Sequence, residues 1–456
     1  MKQATRRQFL KATGAAAGLV MWPGALGREV EAARSDSSRP NVLFVLADQW
    51  RAQALHCAGD PNIKTPHIDE LARRGVRFTH CYSNSPLCTP FRSMLMSGRY
   101  TARTGVWKNN ILLPPDELCI AESFGQAGYR TGYIGKWHLD GAAKPGSVRH
   151  RQGWRYWAGF NRGHNYFEGV YFRDADTKVE VPEGVFEPDH QTDLAINFIT
   201  ERSGDDAPWF LMLAFGGPHQ PYKAPDQYME MYNPDTLKLR PNVSKMKKSE
   251  RKALAGYYAH ATNLDHNIGR LVAHLKEQGL TEETLVVFTA DHGDMHRSQG
   301  ERFKSKPWEE SIAVPMVAAW PGMIPRGREE DALFASIDIY PTLCGLCGVE
   351  IPEDKDGCDF SHLFLGKAGP RRDDVHLTIG SPEMDEAWRG VRTDRYTYAW
   401  YAKRDQGYVL YDNKKDPYQK KNLNDEPAHR KLQEKLHTLT MRNLKAIGDP
   451  STPDRK

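Results

Sequence analysis

Asn41-Val42-Leu43-Phe44-Val45-Leu46-Ala47 runs without polar alternation and stops at Asp48-Gln49. A strand apolar on both sides must be buried on both faces, which is the habit of a parallel sheet covered by helices. Leu285-Val286-Val287-Phe288-Thr289-Ala290 repeats the pattern and again ends in an acid, Asp291. Pro208 to Phe215 forms a third such run, ending before His219. Val76-Arg77-Phe78 and Thr131 to Gly135 predict further strands, while Ile68 to Arg74 and Ala121 to Gly128 predict helices. From Glu250 a long helix is expected, because Leu254, Tyr257, Tyr258, Ala261, Leu264, Ile268, Leu271 and Leu275 recur at i, i+3/i+4 spacing. Strands alternating with helices give an α/β fold, a large mostly parallel sheet sandwiched by helices. Such sheets bind ligands beyond the carboxyl ends of their strands. Asp48, His219 and Asp291 all fall there.

The length of 456 residues suits one large α/β domain with an appendage, or two to three smaller domains. The net charge of +4 is small, and no basic block with interleaved aromatics points to nucleic acid. From about Arg371 the pattern changes. Trp388 to Arg392, Arg395 to Trp400 and Tyr408 to Asp412 predict short antiparallel strands, and Pro427 to Ile447 a terminal helix. The expected organisation is a catalytic α/β domain over 38–370 and a smaller α+β subdomain with a short antiparallel sheet over 371–456. Lys144 to Asp189 reads as irregular and aromatic. Residues 1–32 read as an export signal: Arg6-Arg7 followed by Phe9-Leu10, a weakly apolar run from Ala12 to Trp22, and small-residue cleavage options at Ala32 or Ala25. The run is too short and mild to anchor stably in a bilayer. A soluble periplasmic or secreted protein follows, delivered by twin-arginine export machinery. Seven cysteines form no disulfide framework, and Cys344 and Cys347 read as core residues of one short helix.

The strand ends carry Asp48, Gln49, Asp291 and His292. Carboxylates with an amide suit Ca²⁺ or Mg²⁺, and the imidazole tilts toward Mn²⁺ or Zn²⁺; the competing reading is that the acids cap the following helices. Gly135-Lys136-Trp137-His138-Leu139 places Lys136 and His138 on one face of an extended segment. With Arg92, His219 and Lys304, these make a cationic pocket suited to a tetrahedral oxyanion. Cys88 within Cys88-Thr89-Pro90-Phe91-Arg92 is a core residue, a thiol nucleophile or a precursor converted before use.

Five ordered blocks give the resemblance. They are Cys88-Thr89-Pro90-Phe91-Arg92 with Met94-Leu95-Met96-Ser97-Gly98-Arg99-Tyr100, Gly135 to Leu139, Pro218-His219, Thr289-Ala290-Asp291-His292-Gly293, and Leu410-Tyr411-Asp412 with Asp416-Pro417. The chain resembles the type I, formylglycine-dependent sulfatases of the alkaline phosphatase superfamily, from about residue 40 to 425. The resemblance implies that a formylglycine-generating enzyme oxidises Cys88 to Cα-formylglycine, whose hydrate attacks sulfur. It implies that Asp48, Gln49, Asp291 and His292 hold Ca²⁺, and that Arg92 orients the hydrate. Lys136 and Lys304 would neutralise sulfate oxygens, His219 would protonate the leaving alcohol, and His138 would take the proton that releases sulfate.

Where this chain departs from the family, Gln49 stands for a second aspartate and His292 for an asparagine, as in the branch with phosphonate monoester hydrolases. Lys306 competes with Lys304 as the sulfate-binding lysine. Asn109, Asn110 and His164 are candidate substrate contacts, and Trp154, Trp157, Asn165 and Tyr166 either wall the leaving group or pack on one another. The expected substrate is a small-molecule or oligosaccharide sulfate ester, above all a sulfated carbohydrate; the competing readings are an aryl or small alkyl sulfatase, a phosphonate monoester or phosphodiester hydrolase, and an inactive sulfoglycan-binding module.

Overall fold

The computed structural model describes residues 39–141, 151–173 and 177–451. The expected signal over 1–32, with Arg6, Arg7 and the cleavage options, lies outside them, as does the start of the aromatic segment at Lys144.

All eight residues of the Asn41–Asp48 strand are buried, as the unbroken apolar run requires. That strand sits in the middle of a ten-stranded sheet. It pairs in parallel with Trp209–Pro218 on one side and Thr284–Ala290 on the other. Arg130–Lys136 and then Tyr156–Phe160 continue the parallel run beyond Trp209–Pro218. The register sets Ala47 beside Ala290 and Asp48 beside Pro218. Asp48, Asp291 and His219 therefore leave the sheet at one edge. A close approach also shapes that edge. Gly135 has φ 101°, and a Cβ there would meet the Ala214 carbonyl oxygen at 2.0 Å, so only glycine fits just before Lys136.

Pro66–Arg74, Glu187–Thr200 and Lys248–Glu277 form one group of helices, and Cys88–Ser97, Ile120–Gln126 and Ile339–Cys347 a second; each group packs against the sheet. Cys344 and Cys347 are buried in the main core, as expected.

Three expectations change. The segment read as irregular contains the strands Tyr156–Phe160, Val170–Arg173 and Thr177–Glu180, which extend the sheet. Aromatics at consecutive positions hide the alternation of Tyr156–Phe160 and Val170–Arg173, whereas Thr177–Glu180 is short and largely exposed. Trp154, Trp157 and Tyr166 are buried core residues, with Trp157 stacked on Tyr133 at 5.2 Å, so they do not wall a leaving group. Met316–Ala319 is an antiparallel strand between Val76–Phe78 and Thr284–Ala290, which makes the sheet mixed.

The C-terminal region forms a four-stranded antiparallel sheet of Asp374–Ile379, Trp388–Thr393, Tyr396–Tyr401 and Gln406–Asp412. The Arg430–Ile447 helix covers it, with Leu436 and Leu444 set against Val391, Tyr398, Trp400 and Leu410. Other residues of the same strands, including Val375, Leu377 and Tyr411, pack with Tyr82, Trp308 and Ile312.

Candidate active site

Cys88 is the first residue of the buried Cys88–Ser97 helix rather than part of a loop leading into it. Pro90 is tolerated because first-turn N–H groups have no intrahelical partner to lose. The Thr89 N–H instead donates to Asn109 Oδ1 at 3.0 Å, and Thr89 Oγ1 donates to the His138 carbonyl at 3.0 Å. Arg92 follows four residues on, so both side chains leave the same helix face. Its Nη2 lies 3.4 Å from Asp48 Oδ2 and 3.3 Å from Asp291 Oδ2, while its Nη1 donates to the Lys136 carbonyl.

Cys88 Sγ is 3.1 Å from His292 Nε2 and 3.7 Å from Asp48 Oδ1. The ligand atoms of Asp48, Cys88, Asp291 and His292 all lie within 4.8 Å of one another, and all four residues are buried. His292 Nδ1 is 3.0 Å from the Gly293 carbonyl. A proton on Nδ1 satisfies that contact and leaves the Nε2 lone pair facing the cluster. Burial and the neighbouring Asp48 push Asp291 up to about 6. Burial also opposes ionisation of Asp48, but Lys136, His219, Arg92 and His292 outweigh it and hold that carboxyl well below its usual range. Two confined carboxylates with an imidazole lone pair are the donor set of a divalent cation site, so these residues fit one.

Gln49, with φ 69°, donates its backbone N–H to Asp291 Oδ1 at 2.9 Å. Its Nε2 reaches Asp294 Oδ2 at 2.6 Å, Gln220 Oε1 at 2.9 Å and the Tyr222 hydroxyl at 3.3 Å. Its Oε1 accepts from Lys304 Nζ. A carboxylate only accepts, so Asp294 fixes which way the amide points. Sequence reasoning passed over Asp294, although a third acid three residues after Asp291 is a readable signal. Gln220 and Tyr222 carry no such signal.

Lys136 is buried with its Nζ on Asp48 Oδ2. Burial disfavours the ammonium, yet Asp48 and Cys88 raise its pKa overall. Lys136 and His138 do not share one extended face. The strand stops at Lys136 and His138 adopts φ 59°, which turns its Nε2 toward Asn110 Oδ1 at 3.3 Å. Burial lowers the His138 pKa, against the pull of nearby Cys88. Asn109 thus holds the helix start, and Asn110 holds His138 and also accepts from Arg162 at 3.3 Å.

His219 and His164 stack with ring centroids 3.9 Å apart and planes 12° off parallel. His164 Nε2 is 3.5 Å from Lys136 Nζ. Burial, with Lys304 and Lys136 assisting against Asp48, lowers His219 to about 4. Burial, Lys136 and His219 lower His164 to about 2. Lys306 pairs with Glu301 at 3.2 Å, whereas Lys304 reaches Gln49 inside the site. For Cys88, burial and Asp48 oppose ionisation, but Lys136, Lys304 and His292 prevail and hold the thiol well below its ordinary value.

The site therefore gathers Arg92, Lys136 and Lys304 around Asp48, Asp291 and position 88, cations that can meet an oxyanion. The sulfatase family profile matches residues 40–349 of this chain. The profile of the N-sulphoglucosamine sulphohydrolase C-terminal region matches residues 300–446. An ulvan-active sulfatase of Formosa agariphila is 37% identical over 430 residues, covering 91% of this chain and 83% of that protein. An endo-4-O-sulfatase of Bacteroides thetaiotaomicron is 32% identical over 482 residues, covering 91% and 93%. A solved structure described as a sulfatase from Bacteroides fragilis superposes with a TM-score of 0.84 at 30% identity, covering 92% of this chain and 98% of that one. This chain belongs to the sulfatase family of the alkaline phosphatase superfamily and is a sulfuric ester hydrolase.

Proposed function

We propose that this sulfatase is exported and removes sulfate from a sulfated carbohydrate, using a Cα-formylglycine made from Cys88 and a divalent cation, Ca²⁺ foremost. The observation that carries the reading is the convergence of Cys88, Asp48, Asp291 and His292 within 4.8 Å, with Arg92 and Lys136 against them. The named activities of the ulvan and endo-4-O-sulfatase relatives support a carbohydrate substrate. Cys88 is 1% exposed, so its conversion by a formylglycine-generating enzyme has to precede closure of the fold. Export of an already folded chain by twin-arginine machinery is compatible with that order.

In this reading Asp48, Asp291 and His292 hold the cation, with Gln49 beside them. The cation supplies charge neutralisation at the sulfate oxygens. The hydrated aldehyde supplies an oxygen nucleophile and a second hydroxyl for release, neither of which a thiol has. Arg92 holds position 88 against the two acids. Lys136 and Lys304 balance the anionic ester. His219 and Lys304 stand on the leaving-group side, where an N–H donates to the departing oxygen. Burial lowers His219 to about 4 in the free site, and the negative charge of a bound ester would act in the opposite direction. His138, oriented by Asn110, accepts the proton that accompanies sulfate release. His164 backs His219 through the ring stack.

A screen of regiospecifically sulfated sugars, with 4-nitrophenyl sulfate for comparison, tests the reading on protein whose Cys88 peptide has been checked by mass spectrometry. Hydrolysis that follows the aldehyde content supports it, and full activity with an unmodified thiol refutes the formylglycine step. Gln49, which carries one negative charge fewer than an aspartate, favours a second activity on phosphonate monoesters or phosphodiesters. Comparing kcat/KM on matched sulfate and phosphonate esters decides which is primary.

A further inference from the structure

A cavity of about 220 Å³ adjoins the site, lined by Gln220, Tyr222, Asp294, His296, Arg302 and Phe303, together with Met246 and Ala253. It shares a wall with the reacting centre. Gln220, Tyr222 and Asp294 each meet Gln49 Nε2, Gln220 directly follows His219, and Phe303 directly precedes Lys304. The cavity therefore lies beside the two groups that face the leaving alcohol.

The loop that forms one wall is unusual. His296, Arg297, Gln299, Phe303 and Ser305 all have positive φ, from 38° to 71°. Such backbone is costly for residues with a Cβ, above all for a bulky aromatic. Phe303 nevertheless stands 42% exposed, so burial of its ring does not offset that cost. Arg297 and Arg302 pin the loop to the buried Glu250 at 2.9 and 2.8 Å. His296 Nε2 is buried without a hydrogen bond, with only the Asp294 carboxylate 3.5 Å away. A pinned loop thus holds an exposed ring over a small pocket with Tyr222 and an arginine at its edges. Aromatic faces with polar groups at the rim match a pyranose ring, which is apolar on its faces and hydroxylated round its edge.

We propose that this cavity is a subsite for the sugar residue next to the sulfated one on the leaving-group side, so that the enzyme reads at least two consecutive residues. The proposal rests on the carbohydrate reading above. Its test compares kcat/KM for 4-nitrophenyl sulfate with kcat/KM for ulvan and chondroitin 4-sulfate tetrasaccharides, in the wild type, Phe303→Ala and Met246→Trp. The first variant removes the stacking ring and the second fills the pocket. The expected result is that wild type favours a tetrasaccharide and that both variants lose about 10- to 100-fold on it, with 4-nitrophenyl sulfate changed less than about twofold. Wild-type turnover of a tetrasaccharide that both variants retain, or an equal loss on both substrates, overturns the subsite alone. Absence of tetrasaccharide turnover by the wild type overturns the carbohydrate reading together with it.

Discussion

Among the described residues, the C-terminal sheet and the edge of the large sheet both bury ion pairs, and they are built differently. In the C-terminal sheet Arg389 pairs with Asp449 at 2.8 Å, with both side chains at 1% exposure or less. Arg389 also donates to the Ile379 carbonyl at 2.9 Å and lies over the Trp107 ring. It joins the end of the chain to the sheet and to the loop that carries Asn109 and Asn110. At the edge of the large sheet, by contrast, Asp48 faces Arg92, Lys136 and His292 at once, and Asp291 faces Arg92 and His292. The first site sets one guanidinium directly against one carboxylate. The second gathers charges of both signs from several elements, each shared among more than one partner. A closed pair holds a fold together, whereas an open cluster is arranged for a guest.

Removing the reacting atom should separate the two regions most sharply. Cys88→Ala is expected to abolish sulfate ester hydrolysis, by at least about 10⁴-fold in kcat, while leaving the thermal transition near that of the wild type. A surviving rate in single-turnover assays would reject Cys88 as the source of the nucleophile. The converse change is Asp449→Ala, which strands the Arg389 charge and should destabilise the protein by about 3–5 kcal/mol. Denaturant unfolding measures this, and the folded fraction should keep a normal kcat; unchanged stability would remove the pair from its structural role.

Within the open cluster, Lys304→Ala should lower kcat/KM by about 10²- to 10³-fold. Lys306→Ala should change it less than about twofold, since its exposed partner is Glu301. Equal effects would erase the distinction drawn from the geometry. A pH-dependent effect belongs to Glu187, a buried acid that has an amide partner, Gln191 at 3.0 Å, rather than an ion pair. Burial raises it from 4.5 to about 8. Its unfolded form ionises first, so the stability it contributes is complete below pH 4.5 and is lost as pH rises to about 8. In Glu187→Gln that loss disappears. Relative to wild type, stability should gain about 1.4 kcal/mol per pH unit across that window, read from unfolding curves at pH 5 to 8. Parallel curves would mean that Glu187 is ionised when folded.

The unbroken apolar runs ending in Asp48 and Asp291 were legible, because burial on both faces leaves no alternation and a strand end leaves an acid free. The Cys88 and Arg92 pairing was legible only as part of a motif that resembles the sulfatase signature; the structure adds that four residues make one helical turn there. Tyr156–Phe160 and Val170–Arg173 were not, since aromatics serve core and cleft alike and give no period of two. The amino-acid sequence by itself determined the parallel core, the acids at its edge and the family of motifs, all of which depend on local spacing. Only the tertiary structure brought Lys304 to Gln49, turned His138 onto Asn110, and brought Asp294 to Gln49. Those outcomes depend on contacts between residues 28 to 255 positions apart, which no local pattern records.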